Sequence, residues 1–133
     1  MKRIIVLGHG GYAEGVRLNM EMIAGPCEYM HFIDLTKEDD LASFEQKVVS
    51  LVQSYPEDEI LFACDLLGAT PFRVAAELSV ANMGRFVTVA GLNTMAFLEL
   101  SMGADIDMSI KELAIRSVET TKTAVALFPE ENW

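Results

Sequence analysis

The sequence predicts an α/β protein with a doubly wound, mostly parallel four-stranded sheet, strand order 2-1-3-4 and helices on both faces. Three observations support this prediction. Short apolar runs alternate with amphipathic stretches, the strand-sized runs suit burial on both faces, and glycine-bearing turns follow several of them. The length of 133 residues is that of one domain, so we expect a single domain over residues 1–133.

Four short apolar runs are predicted to form the strands. They are Ile4–Leu7, Tyr29–Ile33, Ile60–Cys64 and Phe86–Ala90. The third run is the clearest, because it is apolar throughout and therefore suits a strand buried on both faces. Right-handed crossovers between parallel strands then place the first strand beside the third.

Capping residues and apolar periodicity predict the helices between these strands. The first helix is predicted over Tyr12–Ala24, and the second begins after Asp39 or Asp40 as its N-cap. Thr70 is predicted to cap a third helix whose first residue is Pro71.

The carboxyl-terminal part carries two more predicted helices and one segment of different character. A short helix is predicted over Thr94–Leu100, and a capping-box pattern of Ser109 with Glu112 begins a last helix. The Thr121–Phe128 segment that follows is β-prone. We expect it to form an added edge strand or to pair with a second subunit.

Composition excludes several classes of function. The formal net charge of −10 disfavours a nucleic acid or an anionic membrane surface as a partner. No apolar stretch reaches the ~18 residues of a membrane span. Because a signal-peptide pattern is also missing, we expect a cytoplasmic protein. Cys27 and Cys64 have no metal-type partner in the sequence, so we expect reduced thiols in the core.

Two predicted strands end in turns that carry polar side chains. His9 follows the first strand and Asp65 follows the third. Because these strands are neighbours at the switch point of the sheet, we expect the two side chains to meet. The carboxylate would fix the imidazole tautomer, leave one ring nitrogen free as a nucleophile and stabilise the imidazolium. From the turns alone, a surface histidine without a role and a turn-capping aspartate stay open as alternatives.

The turn after Asp65 adds a place for an anion. Gly68, Ala69 and Thr70 lead into the predicted third helix, whose first amides and dipole favour negative charge. The small residues allow close approach of a phosphoryl group, and Thr70 adds a hydroxyl. A histidine nucleophile, an orienting carboxylate and an anion cradle together indicate phosphoryl transfer through a phosphohistidine.

A second interpretation stays open, because the first turn also matches a dinucleotide fingerprint. Gly8–Ala13 fits the G-x-G-x-x-G/A pattern, and Asp34 follows the second strand at a suitable distance. Against this interpretation, the chain is short for a dinucleotide enzyme with its own substrate domain. The Asp65–Pro71 turn would also have no role.

Three blocks of the sequence resemble the enzyme IIA domains of the mannose family of the bacterial phosphoenolpyruvate-dependent sugar phosphotransferase system. The blocks are His9–Gly15, Asp65–Phe72, and Gly91–Asn93 with Glu99 beyond, so the resemblance covers nearly the whole chain. It implies that His9 accepts a phosphoryl group from the phosphocarrier protein HPr and passes it to a histidine of the enzyme IIB partner.

The resemblance also implies roles for the rest of the site. Asp65 is expected to hydrogen-bond the imidazole and the Gly68–Thr70 turn to hold the phosphoryl group, with no metal or organic cofactor in the domain. A homodimer that exchanges its carboxyl-terminal strands is expected as well, together with an indirect link to membrane sugar permease components. A non-catalytic regulatory module whose phosphorylation state a partner senses is the alternative that would keep His9.

Several positions depart from the usual pattern of this family. Gly8 replaces a usual Ser or Thr before the histidine. Ala69 replaces a usual glycine, and Arg73 a usual asparagine. Thr94 and Met95 lack the proline that is common after Gly-x-Asn. The nucleophile and its carboxylate are kept, so these changes affect the surroundings of the bound anion.

Overall fold

The computed structural model describes residues 1–103 and 107–129. Strands and helices alternate in it as the sequence predicts. The strands are β1 (Lys2–His9), β2 (Met30–Leu35), β3 (Glu59–Cys64) and β4 (Phe86–Ala90). The helices in the described ranges are α1 (Tyr12–Ala24), α2 (Leu41–Gln53), α3 (Thr70–Ala81), α4 (Thr94–Gly103) and α5 (Ile110–Thr123).

The strands form one sheet in the order β2-β1-β3-β4, and each neighbouring pair is parallel. The predicted strand order is therefore confirmed. The inner strands β1 and β3 are buried over most of their length. Their carboxyl ends lie side by side, at the switch point where open α/β sheets bind ligands.

Alternate residues of the inner strands belong to two separate cores, one on each face of the sheet. One core lies against α1, α4 and α5, and the other against α2 and α3. The inner-strand residues of the first core are Ile4, Val6, Leu61 and Ala63. Those of the second core are Ile5, Leu7, Ile60, Phe62 and Cys64. Because successive strand side chains point to opposite faces, two helical layers require strands that are apolar throughout.

Two helix starts follow the local capping chemistry that the sequence predicts. Asp40 caps α2, and its side chain accepts a hydrogen bond from the Ser43 amide at 2.8 Å. Ser109 caps α5, and it forms a capping box with Glu112. Each cap satisfies amides that have no acceptor inside the helix.

The start of α3 differs from the prediction, and Thr70 is not its cap. Ala69 has the extended N-cap conformation, and its carbonyl accepts the Arg73 amide at 2.9 Å. Thr70 and Pro71 therefore lie inside the first turn. The preceding Gly68 has a φ of +83°, which is a backbone conformation that glycine adopts without strain.

The carboxyl-terminal prediction is wrong in its first part, because α5 continues through Thr123. The Thr121 hydroxyl donates to the Ser117 carbonyl at 3.0 Å, and the Thr121 carbonyl accepts the Asn93 side chain at 3.4 Å. These bonds satisfy the last turn as helix. Residues 125–129 form neither helix nor strand in the single chain, so their exchange between subunits stays a prediction.

The cysteines and the helices bear on the compositional predictions. Cys27 and Cys64 are both free thiols, and Cys64 is buried in the core. Within residues 1–103 and 107–129, no helix is both long enough and apolar enough to cross a bilayer.

Candidate active site

The structure brings His9 and Asp65 together at the carboxyl edge of the sheet. His9 Nδ1 lies 2.7 Å from Asp65 Oδ2, and the His9 backbone amide donates to the same oxygen at 2.9 Å. The Asp65 amide in turn donates to the Leu7 carbonyl at 3.1 Å. One carboxylate oxygen therefore holds both the backbone and the ring of His9.

His9 is the last residue of β1 and not part of the turn beyond it. It pairs in register with Leu35 of β2, and the next amide, of Gly10, donates to the Leu35 carbonyl at 2.9 Å. The sequence pattern places the end of this strand at Leu7, because a glycine and a polar residue interrupt the apolar run there. Pairing with β2 therefore holds the backbone of His9 and of the residue after it in a fixed position.

The contact with Asp65 sets the chemistry of the imidazole. A carboxylate only accepts hydrogen bonds, so the ring proton lies on Nδ1 and the Nε2 lone pair is free. The His9 side chain is 44% exposed, whereas the Asp65 side chain is 15% exposed. The arrangement holds a partly exposed imidazole, with the Nε2 lone pair uncommitted, against a more shielded carboxylate.

The second oxygen of Asp65 is buried in an unusual way. Asp65 Oδ1 has no hydrogen-bond partner among the described residues. Burial, and then the Asp65 charge, raises the pKa of both Tyr12 and Cys64 to about 12. The phenol and the thiol therefore stay protonated near neutral pH and add no negative charge beside His9.

The predicted anion-binding residues lie at the amino terminus of α3, a few residues after Asp65. Gly68 forms the turn, Ala69 is the N-cap and Thr70 begins the helix. Amides in the first turn of a helix have no intrahelical acceptor, and the helix dipole makes this end positive. The Arg73 guanidinium also lies at this turn, because its Nε donates to the Gly68 carbonyl at 2.9 Å.

The amino terminus of α1, which the dinucleotide interpretation needs for a pyrophosphate, is already occupied by a carboxylate. Asp34 Oδ1 accepts the Ala13 amide at 2.8 Å, and Asp34 Oδ2 accepts the Glu14 amide at 3.0 Å. A second anion there would meet negative charge and find these donors in use. Asp34 therefore serves as a helix cap, which disfavours dinucleotide binding at this turn.

The third block of the family resemblance has structural contacts. Asn93 Oδ1 accepts the Ala96 amide at 3.1 Å, at the start of α4. Glu99 Oε1 accepts Arg116 Nε at 3.1 Å and the Thr120 hydroxyl at 3.0 Å. The Glu99 bonds join α4 to α5, and neither they nor the Asn93 bond involves the His9–Asp65 pair.

Comparison with known proteins agrees with this arrangement. The family model described as "PTS system fructose IIA component" (EIIA-man) matches residues 3–118. The chain belongs to this enzyme IIA family. The resemblance to mannose-type IIA domains of the sugar phosphotransferase system (PTS) is thereby confirmed, and the chain is a IIA component of a sugar uptake system.

Relatives and solved structures agree with the family assignment. The sorbose-specific EIIA component of Lacticaseibacillus casei is 33% identical over 110 residues, which cover 83% of this chain and 78% of that protein. The mannose-specific EIIAB component of Escherichia coli K12 is 30% identical over 91% of this chain, which corresponds to 38% of that protein. Phosphotransferase component EIIA of Streptococcus agalactiae superposes with a TM-score of 0.85 at 27% identity, over 96% of this chain and 98% of that one. The mannose/sorbose-specific IIA subunit of Enterococcus faecalis gives 0.86 at 25% identity, over 100% and 99%.

Two side chains of this IIA component lie near the site without a role in the sequence-based prediction. Tyr12 belongs to a family block, but its packing against the strand that carries His9 has no local sequence signal. In the sequence, Arg73 is only a departure from the family pattern, and its bond to the Gly68 carbonyl depends on the turn geometry. Both positions become visible only when the strand, the turn and the helix are assembled.

Proposed function

We propose that this IIA component carries a phosphoryl group on Nε2 of His9, accepts it from HPr and passes it to a histidine of enzyme IIB. The hydrogen bond between His9 Nδ1 and Asp65 Oδ2 carries the proposal. It commits one ring nitrogen to a carboxylate and leaves the other nitrogen on the exposed side. The membership in the IIA family supports the same role.

In the proposed step, the Nε2 lone pair attacks the phosphorus of the donor phosphohistidine, in line with the bond that breaks. The new N–P bond forms as the donor N–P bond cleaves, and the donor imidazole leaves with that electron pair. His9 keeps its Nδ1 proton, so the phosphorylated ring is cationic and the Asp65 carboxylate offsets its charge. Transfer to IIB runs the same chemistry with His9 as the leaving group.

The Gly68–Thr70 turn is proposed to hold the oxygens of the phosphoryl group. The support is its position, because it follows Asp65 directly and forms the positive end of α3. The Thr70 hydroxyl and the first-turn amides supply neutral donors there, and Arg73 adds a positive charge beside the turn. These groups position the phosphoryl group and need no cofactor.

The surroundings of His9 support docking of protein partners. Leu66 and Leu67, which follow Asp65, are 59% and 74% exposed. Exposed apolar side chains beside a reactive group are typical of a surface that a partner covers. The EIIAB relative bears both the IIA and the IIB designation, which supports IIB as a partner. The relatives are named for sorbose, mannose and fructose, so the likeness supports the transfer step and assigns no sugar.

Phosphoryl labelling tests this proposal. Wild-type protein is incubated with enzyme I, HPr and labelled phosphoenolpyruvate, and we expect an acid-labile, alkali-stable phosphoprotein. His9→Ala should abolish the label, because the nucleophilic nitrogen is lost. His31→Ala is the matched control, since it removes the other histidine of the chain and should keep the label.

The same assay separates the possible outcomes. Label on His9→Ala at the wild-type level would show that another residue is the acceptor. Chasing the labelled wild-type protein with a IIB component tests the onward step. Retention of the label in the presence of cognate IIB would favour the regulatory module over the carrier.

We also propose that residues 1–133 form one domain and that this domain associates as a homodimer. β4 is an outer strand, and an apolar groove of about 470 Å³ runs beside it between α3 and α5. Its lining includes Phe72, Val80 and Ile110. The exposed apolar residues after α5 support exchange of this segment onto a neighbouring subunit. The cytoplasmic location expected from the sequence stays a prediction.

Molar mass in solution tests the dimer. Wild-type protein is expected to have twice the subunit mass by light scattering. The double variant Leu127→Asp/Phe128→Asp should have the mass of one subunit, because burying a charge in an apolar groove is energetically unfavourable. Met22→Asp on α1 is the matched control, since Met22 is 92% exposed and lies away from the groove. A monomeric wild-type protein, or a double variant that stays dimeric, would contradict the exchange.

A further inference from the structure

We infer that Tyr12 is a positioning residue for His9, and that its ring takes the place of a side chain at position 8. This inference rests on the proposed function of His9. Tyr12 is the first residue of α1, and Gly8 is the penultimate residue of β1. The two residues meet where the strand that carries the histidine passes under the helix.

The fit between Tyr12 and Gly8 leaves no room for a larger residue. A Cβ atom built on Gly8 would lie 2.4 Å from Tyr12 Cδ1, 2.7 Å from Tyr12 Cβ and 2.8 Å from Tyr12 Cγ. All three distances are shorter than van der Waals contact. A rotation of the ring does not relieve the overlap, because Tyr12 Cβ is fixed to the helix backbone. A side chain at position 8 therefore has to move α1 or the end of β1.

The glycine is required by this contact and not by backbone conformation. Gly8 pairs in register with Asp34 as an ordinary strand residue, whereas Gly10 has a φ of +60°. Strand side chains alternate, so position 8 is on the same face as Val6, which packs in the core beside α1. In this chain, a serine or threonine at position 8 would meet the Tyr12 side chain there. Gly8 and Tyr12 thus form a small–large pair.

The pair lies next to the group that orients the imidazole. The Tyr12 phenol is close enough to the Asp65 carboxylate for that charge to raise its pKa, and Asp65 Oδ1 is buried without a partner among the described residues. A half-buried ring at this point limits water around the carboxylate. The hydrogen bond from His9 to Asp65 is stronger in such a medium than in water. Tyr12 thus acts through the backbone of Gly8 and the environment of Asp65, without contact with the phosphoryl group.

A size-exchange experiment tests the inference. The rate of phosphoryl transfer from HPr is measured for wild type, Gly8→Ser, Tyr12→Gly, Tyr12→Phe and the double variant Gly8→Ser/Tyr12→Gly, since only glycine also removes the Tyr12 Cβ atom from the overlap. Each of Gly8→Ser and Tyr12→Gly is expected to slow transfer about tenfold, because misplacing a reacting group by a fraction of an ångström is costly. The double variant should recover most of this loss. Tyr12→Phe should stay near the wild-type rate, because it keeps the ring.

The imidazole ¹⁵N chemical shifts of His9 give a second readout that does not depend on transfer. Wild type and Tyr12→Phe are expected to show the Nδ1–H tautomer, and the two single size variants a mixture that the double variant corrects. Wild-type rates and shifts in Gly8→Ser and Tyr12→Gly, or a double variant no better than the worse single variant, would overturn the inference. If wild-type protein takes no phosphoryl group, the proposed function fails, and the tautomer series still decides whether Tyr12 positions His9.

Discussion

His9 and His31 lie on neighbouring strands of the same sheet, yet they have opposite surroundings. His9 Nδ1 contacts a carboxylate at 2.7 Å. His31 Nε2 lies 3.5 Å from Arg3 Nη1, and its ring centroid is 5.1 Å from that of Tyr55. The pKa of His31 is lowered by burial and then by the Arg3 charge. One histidine is matched to a negative group and the other to a positive one.

The comparison shows that the neighbours, and not the residue type, decide what a histidine can do. A carboxylate stabilises the imidazolium that a phosphorylated ring becomes. A guanidinium disfavours that charge. The Arg3 guanidinium is also used structurally, because it donates to Asp58 at 2.8 Å and lies 3.7 Å from the centroid of the Tyr55 ring. The amino end of the sheet thus carries structural contacts of Arg3, and the carboxyl end carries the His9–Asp65 pair on which the proposed transfer depends.

Exchanging each carboxylate for an amide sharpens this contrast and has the largest expected effect. Asp65→Asn should slow phosphoryl transfer to His9 by roughly 10²-fold or more, because the amide carries no charge and admits the wrong imidazole tautomer. The free energy of unfolding should fall little or even rise, since a buried and partly unpaired charge is removed. Rapid-quench labelling and urea unfolding measure the two quantities.

Asp58→Asn is the matched control for this substitution. Asp58 pairs with Arg3 at the opposite end of the sheet, so its loss should lower the free energy of unfolding by about 1 kcal/mol and leave labelling within about twofold of wild type. Equal transfer rates in Asp65→Asn and wild type would reduce Asp65 to a turn residue. A large loss of labelling in Asp58→Asn would remove the division between the two ends.

The sequence predicts those parts of the molecule that depend on local chemistry and strand order. The unbroken run at Ile60–Cys64 marks an inner strand because no surface residue interrupts it. Asp40 and Ser109 cap helices through bonds to residues only three positions away. The meeting of His9 and Asp65 follows from topology, since parallel neighbours end at the same edge.

The parts that the sequence mispredicts depend on contacts between distant segments. The Thr121 carbonyl is held by Asn93, which no local pattern at Thr121 reveals, so a β-prone segment continues as helix. The close packing of Tyr12 on Gly8 is likewise not apparent in the sequence, because three residues lie between them and the turn that these residues form brings the two together. Propensity reports preferences of a segment, whereas these outcomes are set by what packs against it.

The smallest effect concerns the pH dependence of stability at His31. Because the folded state lowers the pKa of His31 below its ordinary value of 6.5, the unfolded chain binds this proton more readily. The contribution to stability is therefore present above about pH 7 and is lost as the pH falls through 6.5 toward the lowered pKa. Solvent screening of a half-exposed ring keeps this loss small.

We expect His31→Gln to flatten the wild-type decline in the urea midpoint between about pH 7.5 and 5.5, while phosphoryl labelling of His9 stays unchanged. A difference between wild type and variant that is constant with pH would show that burial and Arg3 do not lower the pKa of this histidine.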